Sequence, residues 1–156
     1  FFNVYGPNEY HKEGQCSVIC SLFPQAQAGA AARLFKSYND DYEDGGQLRD
    51  FVWVGDCVSV MLWLLDNKQV SGLFNVGTGK ARSFKDLATA TYTSAGVEPK
   101  INYIDMPETL RPKYQYYTQA NTSKLRQAGY NADFTELEDG VQQYVRGFMA
   151  KADQYR

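Results

Sequence analysis

Histidine occurs once in these 156 residues, as His11, and cysteine three times, as Cys16, Cys20 and Cys57. An odd number of cysteines with no Cys-x-x-Cys spacing argues against both a disulfide framework and a zinc site. No metal is expected, and the thiols read as reduced, buried fillers. Lys and Arg number 16 against 18 Asp and Glu, a net charge of −2, and the basic residues are scattered singly. The electrostatic footprint of a nucleic-acid binder is therefore missing. The longest apolar run, "VSVMLWLL" from Val58 to Leu65, falls far short of the roughly 20 residues that cross a bilayer. No signal peptide opens the sequence, so the expectation is a soluble, cytoplasmic protein with no membrane partner. Repeats and low-complexity tracts are absent too.

What is present suits one globular domain, since 44% of the residues are hydrophobic and 15% aromatic, enough for a real core. "FFNVY" from Phe1 to Tyr5 reads as a buried strand. Val18, Ile19, Leu22, Phe23 and Ala26 recur at helical spacing, although Pro24 should kink or break that helix. "ARLF" is a short apolar run. The stretch Tyr38 to Gln47, "YNDDYEDGGQ", collects acids and glycines without periodicity, as a mobile solvated loop would. "RDFVWV" alternates like a strand, "GDCVSVMLWLLDNK" follows as a helix, and "GLFNV" is a further strand candidate that runs into the loop "GTGKARS". Ser83 with Asp86 imitates a capping box and Thr135 with Glu138 is a proper one, which places helix starts near Phe84 and Glu136. Gly129 stops a helix begun near Thr122. Strands alternating with helices mean an α/β architecture with parallel strands.

Such a fold is unbalanced here. "FFNVY" is apolar on both faces, the mark of a strand inside a parallel sheet with neighbours on both sides, and an unpaired edge of that kind templates aggregation. The glycine-rich dinucleotide turn is missing as well: the nearest match, "GTGKAR" from Gly77 to Arg82, lacks the third glycine and the acid about 20 residues on. The residues read as the C-terminal part of something larger.

"FNVYGPNE" followed by "HK", then "RDFVWVGDCV", then "GLFNVGTGKARSF" resembles, in that order, the C-terminal half of the extended short-chain dehydrogenase/reductases that modify nucleotide sugars. The "HK" after the Gly-Pro turn and the stretch "KYQYYTQANTSKLRQAGY" from Lys113 to Tyr130 give a finer match, to the branch that epimerises the sixth carbon of ADP-glycero-manno-heptose, a lipopolysaccharide precursor. The resemblance runs over essentially residues 1–156. It implies a Rossmann-like fold whose smaller substrate-binding domain lies here, and whose N-terminal half, with the glycine-rich loop and a Tyr-x-x-x-Lys pair, does not. It further implies NADP, less readily NAD, a nucleotide-sugar substrate and a homo-oligomeric full-length protein.

The implied chemistry removes hydride from the sixth carbon of the heptose and returns it to the opposite face of a transient ketone. Inversion is natural if two different proton-transferring side chains flank that carbon. One is the tyrosine of the missing half, and the position matching the other is Lys12, whose basicity desolvation, a neighbouring oxidised nicotinamide and His11 would tune. Val4 also falls at a cofactor-contacting position, and Asn3 at a substrate-contacting one at the end of the last long strand. Arg49 matches the arginine that grips the diphosphate with its planar fork; the bland alternative is a surface pair with Asp50. Phe35, Lys36, Ser37 and Tyr38 fall where the nucleotide is cradled, and Tyr114 matches a substrate-contacting tyrosine, or is simply core. Gly14 and Ser21 stand at further substrate positions, with departures from the pattern. Glu13 precedes Gly14, so a small polar contact is lost, and Ser21 replaces a frequent histidine. Two other readings stay open: a 4-epimerase or dehydratase of a UDP- or dTDP-sugar, and a non-catalytic sugar-nucleotide-binding fragment.

Overall fold

The computed structural model describes residues 1–152; the side chain of Glu13 also lies outside the described residues. Strand β1, Asn3–Tyr5, leads through a 3-10 turn, Tyr10–Gln15, into helix α1, Ile19–Gln27, and then β2, Ala32–Phe35. Two short strands follow, β3 (Leu48–Arg49) and β4 (Phe51–Trp53), and then helix α2, Val54–Asp66. Next come β5 (Arg82–Ser83), α3 (Phe84–Ser94) and β6 (Ile101–Ile104), a 3-10 turn at Arg111–Lys113, and helices α4 (Ser123–Gln127) and α5 (Leu137–Tyr144), the latter continued by a π-helical turn, Val145–Met149. β1 pairs with β4 and β2 with β6, both parallel, while β3 and β5 pair antiparallel. No helix among the described residues is long and apolar enough to cross a membrane.

Helices α1 and α3 pack between the first two strand pairs. Tyr5, Phe23, Phe51, Leu87, Val141 and Tyr144 close one core against α5, and Leu22, Leu34, Ala88 and Tyr92 a second against β2. A third, of Val52, Val60, Val76, Leu125 and Tyr130, lies under α2. Gly140 is required where α5 crosses β1, because a Cβ there would fall 2.1 Å from the Tyr5 hydroxyl.

Several expectations are corrected. Pro24 sits inside α1 without ending it. It removes one backbone bond at a cost of about 3 kcal/mol, whereas burial of Ile19, Leu22, Phe23 and Ala26 stabilises the helix by about 1.5 to 3 kcal/mol for each large side chain. "GLFNV" is not a strand: Leu73 is 86% exposed, and a single hydrogen bond, from the Phe2 N–H to the Val76 carbonyl, joins it to the chain beside β1. "ARLF" is a strand, and its partner β6 carries no strong sequence signal. The two capping motifs exchange roles. Ser83 and Asp86 form a complete capping box at α3, while Thr135 gives both its N–H and its hydroxyl to Asp56 at 2.9 Å and Glu138 pairs with Arg82, so α5 starts without a side-chain cap. The acidic stretch is tied down: the Asp44 carboxylate accepts the Ser37 N–H at 2.7 Å, the Gly45 N–H donates to Phe35, and the Gly45 carbonyl accepts from Lys85. Of the thiols only Cys57 is a buried filler; Cys16 and Cys20 are half-buried and hydrogen-bonded.

The loop "GTGKARS" holds a carboxylate of the protein itself. Asp50, fully buried, accepts the Thr78 N–H at 2.7 Å, the Thr78 hydroxyl at 2.7 Å, and the Gly79 and Ala120 N–H groups at 2.9 Å. Gly77 lets the loop come this close, since a Cβ there would lie 2.7 Å from Ala120 Cβ and 2.9 Å from the carboxylate. Asp50→Ala leaves three N–H groups without an acceptor and is expected to destabilise the protein by about 3 to 5 kcal/mol, with Asp50→Asn intermediate. Equilibrium urea unfolding checks this as a lower midpoint at constant slope; an unchanged midpoint for Asp50→Ala would refute it.

Candidate functional site

Strand β3 lies between β5 and the segment around Tyr116. The Leu48 N–H donates to the Tyr116 carbonyl at 2.8 Å, and the Thr118 N–H to the Leu48 carbonyl at 3.2 Å. This pairing carries Tyr114 to Arg49, whose guanidinium lies 5.4 Å from the Tyr114 ring centroid and 5.7 Å from that of Phe84. Among the described residues no carboxylate pairs with Arg49; its one hydrogen bond goes to the neighbouring Leu48 carbonyl at 2.8 Å. Asp50 is committed to the loop beyond, so the Arg49–Asp50 pair is not formed. The cross-strand neighbour Arg82 is neutralised by Glu138 and Asp86.

Phe35 packs edge-on to Tyr114 at 6.3 Å, Tyr114 to Tyr116 at 5.4 Å, and Tyr42 tilts against Tyr116 at 5.3 Å. Burial pushes the Tyr114 hydroxyl above its ordinary range, with Arg49 opposing. Beyond Phe35 the chain turns outward. Lys36 Nζ and the Tyr38 hydroxyl both donate to Asp105 Oδ1 at 3.0 Å, and the Arg111 guanidinium covers the Tyr38 ring at 3.8 Å. These two hydrogen bonds hold the Asp105 carboxyl below, and the bond to Asp105 holds the Lys36 ammonium above, the usual range. The Tyr38 N–H donates to the Tyr116 hydroxyl at 3.0 Å. Phe35, Lys36, Ser37, Tyr38, Arg49 and Tyr114 therefore share one patch. Sequence reasoning missed Phe84, Asp105, Arg111 and Tyr116. The signals were weak: Asp105 directly follows β6, a strand that was not recognised, and Tyr116 is one of three tyrosines in "YQYY".

A cavity of about 170 Å³ opens at the end of β1, lined by Asn3, Val4, Gln15, Ser17, Phe51 and Phe84 among others. It connects the remaining residues. Asn3 and Val4 form one wall, Gln15 closes the 3-10 turn that presents His11, Lys12 and Gly14 to solvent, and Phe84 backs Arg49. Ser21 stands apart, exposed on α1, its hydroxyl given to the Val18 carbonyl at 2.9 Å. A larger cleft of about 1020 Å³ lies elsewhere, between the Thr78–Arg82 loop and α5. Its cations are committed: Lys80 to Glu136, Arg82 to Glu138, Arg126 to the carbonyls of Tyr130 and Ala132, and Arg146 to that of Ser94.

Residues 1–77 match the NAD dependent epimerase/dehydratase family. Over 155 residues, 99% of the chain, the sequence is 58% identical to an ADP-L-glycero-D-manno-heptose-6-epimerase of Nitratidesulfovibrio vulgaris, of which it covers 48%. It is 45% identical over 161 residues to that of Fusobacterium nucleatum, again covering 99% of the chain and 48% of the relative. Among solved structures, the Helicobacter pylori ADP-L-glycero-D-manno-heptose-6-epimerase superposes with a TM-score of 0.77 at 30% identity, covering 96% of this chain and 43% of that one. The Thermus thermophilus UDP-glucose 4-epimerase in complex with NAD gives 0.72 at 25%, covering 96% and 45%. The chain spans about half the length of the curated relatives it matches. In sequence over 99% of its length the chain is similar to the ADP-L-glycero-D-manno-heptose-6-epimerases, and it has the Rossmann-like α/β fold of the epimerase/dehydratases whose family model residues 1–77 match.

Proposed function

We propose that these residues are the C-terminal, substrate-binding portion of a cytoplasmic, homo-oligomeric enzyme. It epimerises ADP-glycero-manno-heptose at the sixth carbon for lipopolysaccharide synthesis. The observation that carries this reading is Arg49: a partly buried guanidinium seated between two aromatic rings, with its fork committed to no carboxylate. A cation so held is ready for a diphosphate, and the patch from Phe35 to Tyr38 with Tyr114 offers rings and polar groups beside it for the rest of a nucleotide sugar.

Lys12 stands exposed on the turn whose last residue, Gln15, lines the cavity, and in this reading its Nζ meets the oxygen on the reacting carbon of the bound sugar. There it carries one of the two proton transfers, taking the hydroxyl proton when its face of the carbon is oxidised or giving a proton to the ketone oxygen when that face is reduced. The other proton-transferring group comes from outside these residues. Nicotinamide, as NADP, supplies the hydride acceptor and donor of the reaction. Its site fits these residues only in part. Val4, His11 and Lys12 are the residues here that would hold its reactive end, but the cavity of about 170 Å³ is well below the several hundred Å³ of a cofactor pocket, and the Thr78 and Gly79 N–H groups, the loop's donors for a phosphate, are occupied by Asp50.

The rival substrates, UDP- and dTDP-sugars, are separated from ADP-heptose by which of them raises the melting temperature of the full-length protein. Lys12→Met in the complete enzyme is expected to lower turnover by about 10²- to 10⁴-fold, and a variant keeping more than half of wild-type turnover would overturn the assignment. Arg49→Lys keeps the charge and loses the fork, which should weaken substrate binding by about 1 to 3 kcal/mol; an unchanged Michaelis constant would show that Arg49 is only packed. The 156-residue chain by itself is expected to bind no NADP. Cofactor fluorescence and thermal unfolding check this, and an upward shift with NADP would require a dinucleotide site within these residues.

A further inference from the structure

We propose that Glu9 is the positioning residue of the Lys12 turn. This rests on the role given to Lys12 above. Glu9 is 3% exposed and directly follows Asn8, whose left-handed backbone, φ +67°, turns the chain into the 3-10 segment. Its carboxylate reaches across the turn to the far side: Oε2 accepts the Ser17 N–H at 2.8 Å, and Oε1 accepts the Ser17 hydroxyl at 2.5 Å and the Cys20 thiol at 3.4 Å. Its backbone carbonyl accepts the Lys12 N–H and the Cys16 thiol, both at 2.9 Å. One residue thus holds the entrance, the middle and the exit of the loop that carries Lys12.

Apart from Glu9, the loop is anchored at its start by Tyr10, which packs against the first core. Its backbone bonds are of the 3-10 type, poorer in geometry than α-helical ones, and His11, Lys12, Gly14 and Gln15 are exposed, so burial does not fix them. The Glu9 carboxylate accepts the N–H of Ser17, just before the N-cap Val18, so its charge lies near the N-terminus of α1, where it is favourable. Burial, and the carboxylate beside it, raise the Cys20 thiol above its ordinary range against an opposing hydrogen bond from Tyr144, so the thiol stays protonated and donates. Glutamine cannot reproduce the set, because it has one acceptor oxygen where the carboxylate uses two, so either the Ser17 N–H or the Ser17 hydroxyl and Cys20 thiol face an NH2 group.

The test is a double-mutant cycle in the complete enzyme. Glu9→Gln is expected to lower turnover by about 10- to 100-fold, the scale of a 1 Å misplacement, with the Michaelis constant for the ADP-sugar changed less than about two-fold. In a Lys12→Met background the same change should lower the residual turnover less than about two-fold, because the group being positioned is gone. Ser17→Ala, which removes one donor and spares the fold, should give a smaller loss with the same non-additivity. Wild-type turnover in Glu9→Gln and Ser17→Ala, or equal losses in both backgrounds, would overturn the proposal while leaving Lys12 in place. Should Lys12→Met itself keep wild-type turnover, the role of Lys12 fails and this proposal with it.

Discussion

The candidate site depends on a buried negative charge that binds nothing outside the protein. Asp50 accepts four hydrogen bonds from Thr78, Gly79 and Ala120, and its own carbonyl accepts the Asn3 N–H at 3.1 Å. Strand β1, the junction of β3 and β4, the loop after residue 76 and the segment leading from Tyr114 into α4 therefore meet at one residue. A fully buried carboxylate is tolerable only when its acceptor capacity is filled. Here three backbone N–H groups and the Thr78 hydroxyl fill it, so among the described residues the neighbouring Arg49 has no carboxylate partner. Arg49 and Asp50 adjoin in sequence yet do not pair, because Asp50, between β3 and β4, is turned to the N–H groups of Thr78, Gly79 and Ala120 while Arg49 lies against Phe84 and Tyr114.

That separation decides the electrostatics of the patch. Directly across from Arg49 on β5 is Arg82, a like-charge pairing that is unfavourable in itself. Glu138 at 2.5 Å and Asp86 at 3.3 Å neutralise Arg82, and the guanidinium pulls the Glu138 carboxyl down against partial burial. Lys36 and Arg111 are likewise engaged, with Asp105 and the Tyr38 ring. Arg49 is the cation of this patch left to the faces of Phe84 and Tyr114, which offset its partial desolvation by about 0.5 to 2 kcal/mol.

The two cations of the candidate site were easy to pick out in the sequence because each lies in a contiguous motif. "RDF" places Arg49 and "GPNEYHK" places Lys12 whatever the surrounding fold does. Less legible was anything decided by competition for a partner. Thr135 and Glu138 have the spacing of a capping box, yet Asp56 and Arg82 offer each a better bond, and no local pattern reports that. "GTGKARS" looked like a spoiled phosphate loop, and its N–H groups do bind an anion, but one supplied 28 residues earlier. The acidic stretch read as mobile because its composition is polar; two contacts invisible to composition order it, Asp44 on the Ser37 N–H and Gly45, at φ +69°, against Leu34 and Tyr103. The β2–β6 pairing was missed because both strands are four residues long and lie 65 residues apart.

Glu9 and Asp50 solve the same problem at two places in the fold. Each is a buried carboxylate whose bonds end on backbone N–H and short hydroxyl or thiol donors, and each lies close in sequence to an exposed or half-exposed cation, Lys12 or Arg49, that it does not neutralise. An apolar anchor in either place would contribute comparable stability, since buried ion sites hold little advantage over well-packed hydrophobic ones. It would not fix direction. A carboxylate that accepts from three or four donors sets the orientation of the loops that carry them, whereas apolar packing tolerates sliding. In the proposed reaction a lysine on an exposed turn must meet one oxygen, and an arginine fork must meet two. Their segments are therefore held by the interaction with the strictest geometry, and the cations themselves are left free to act on a substrate.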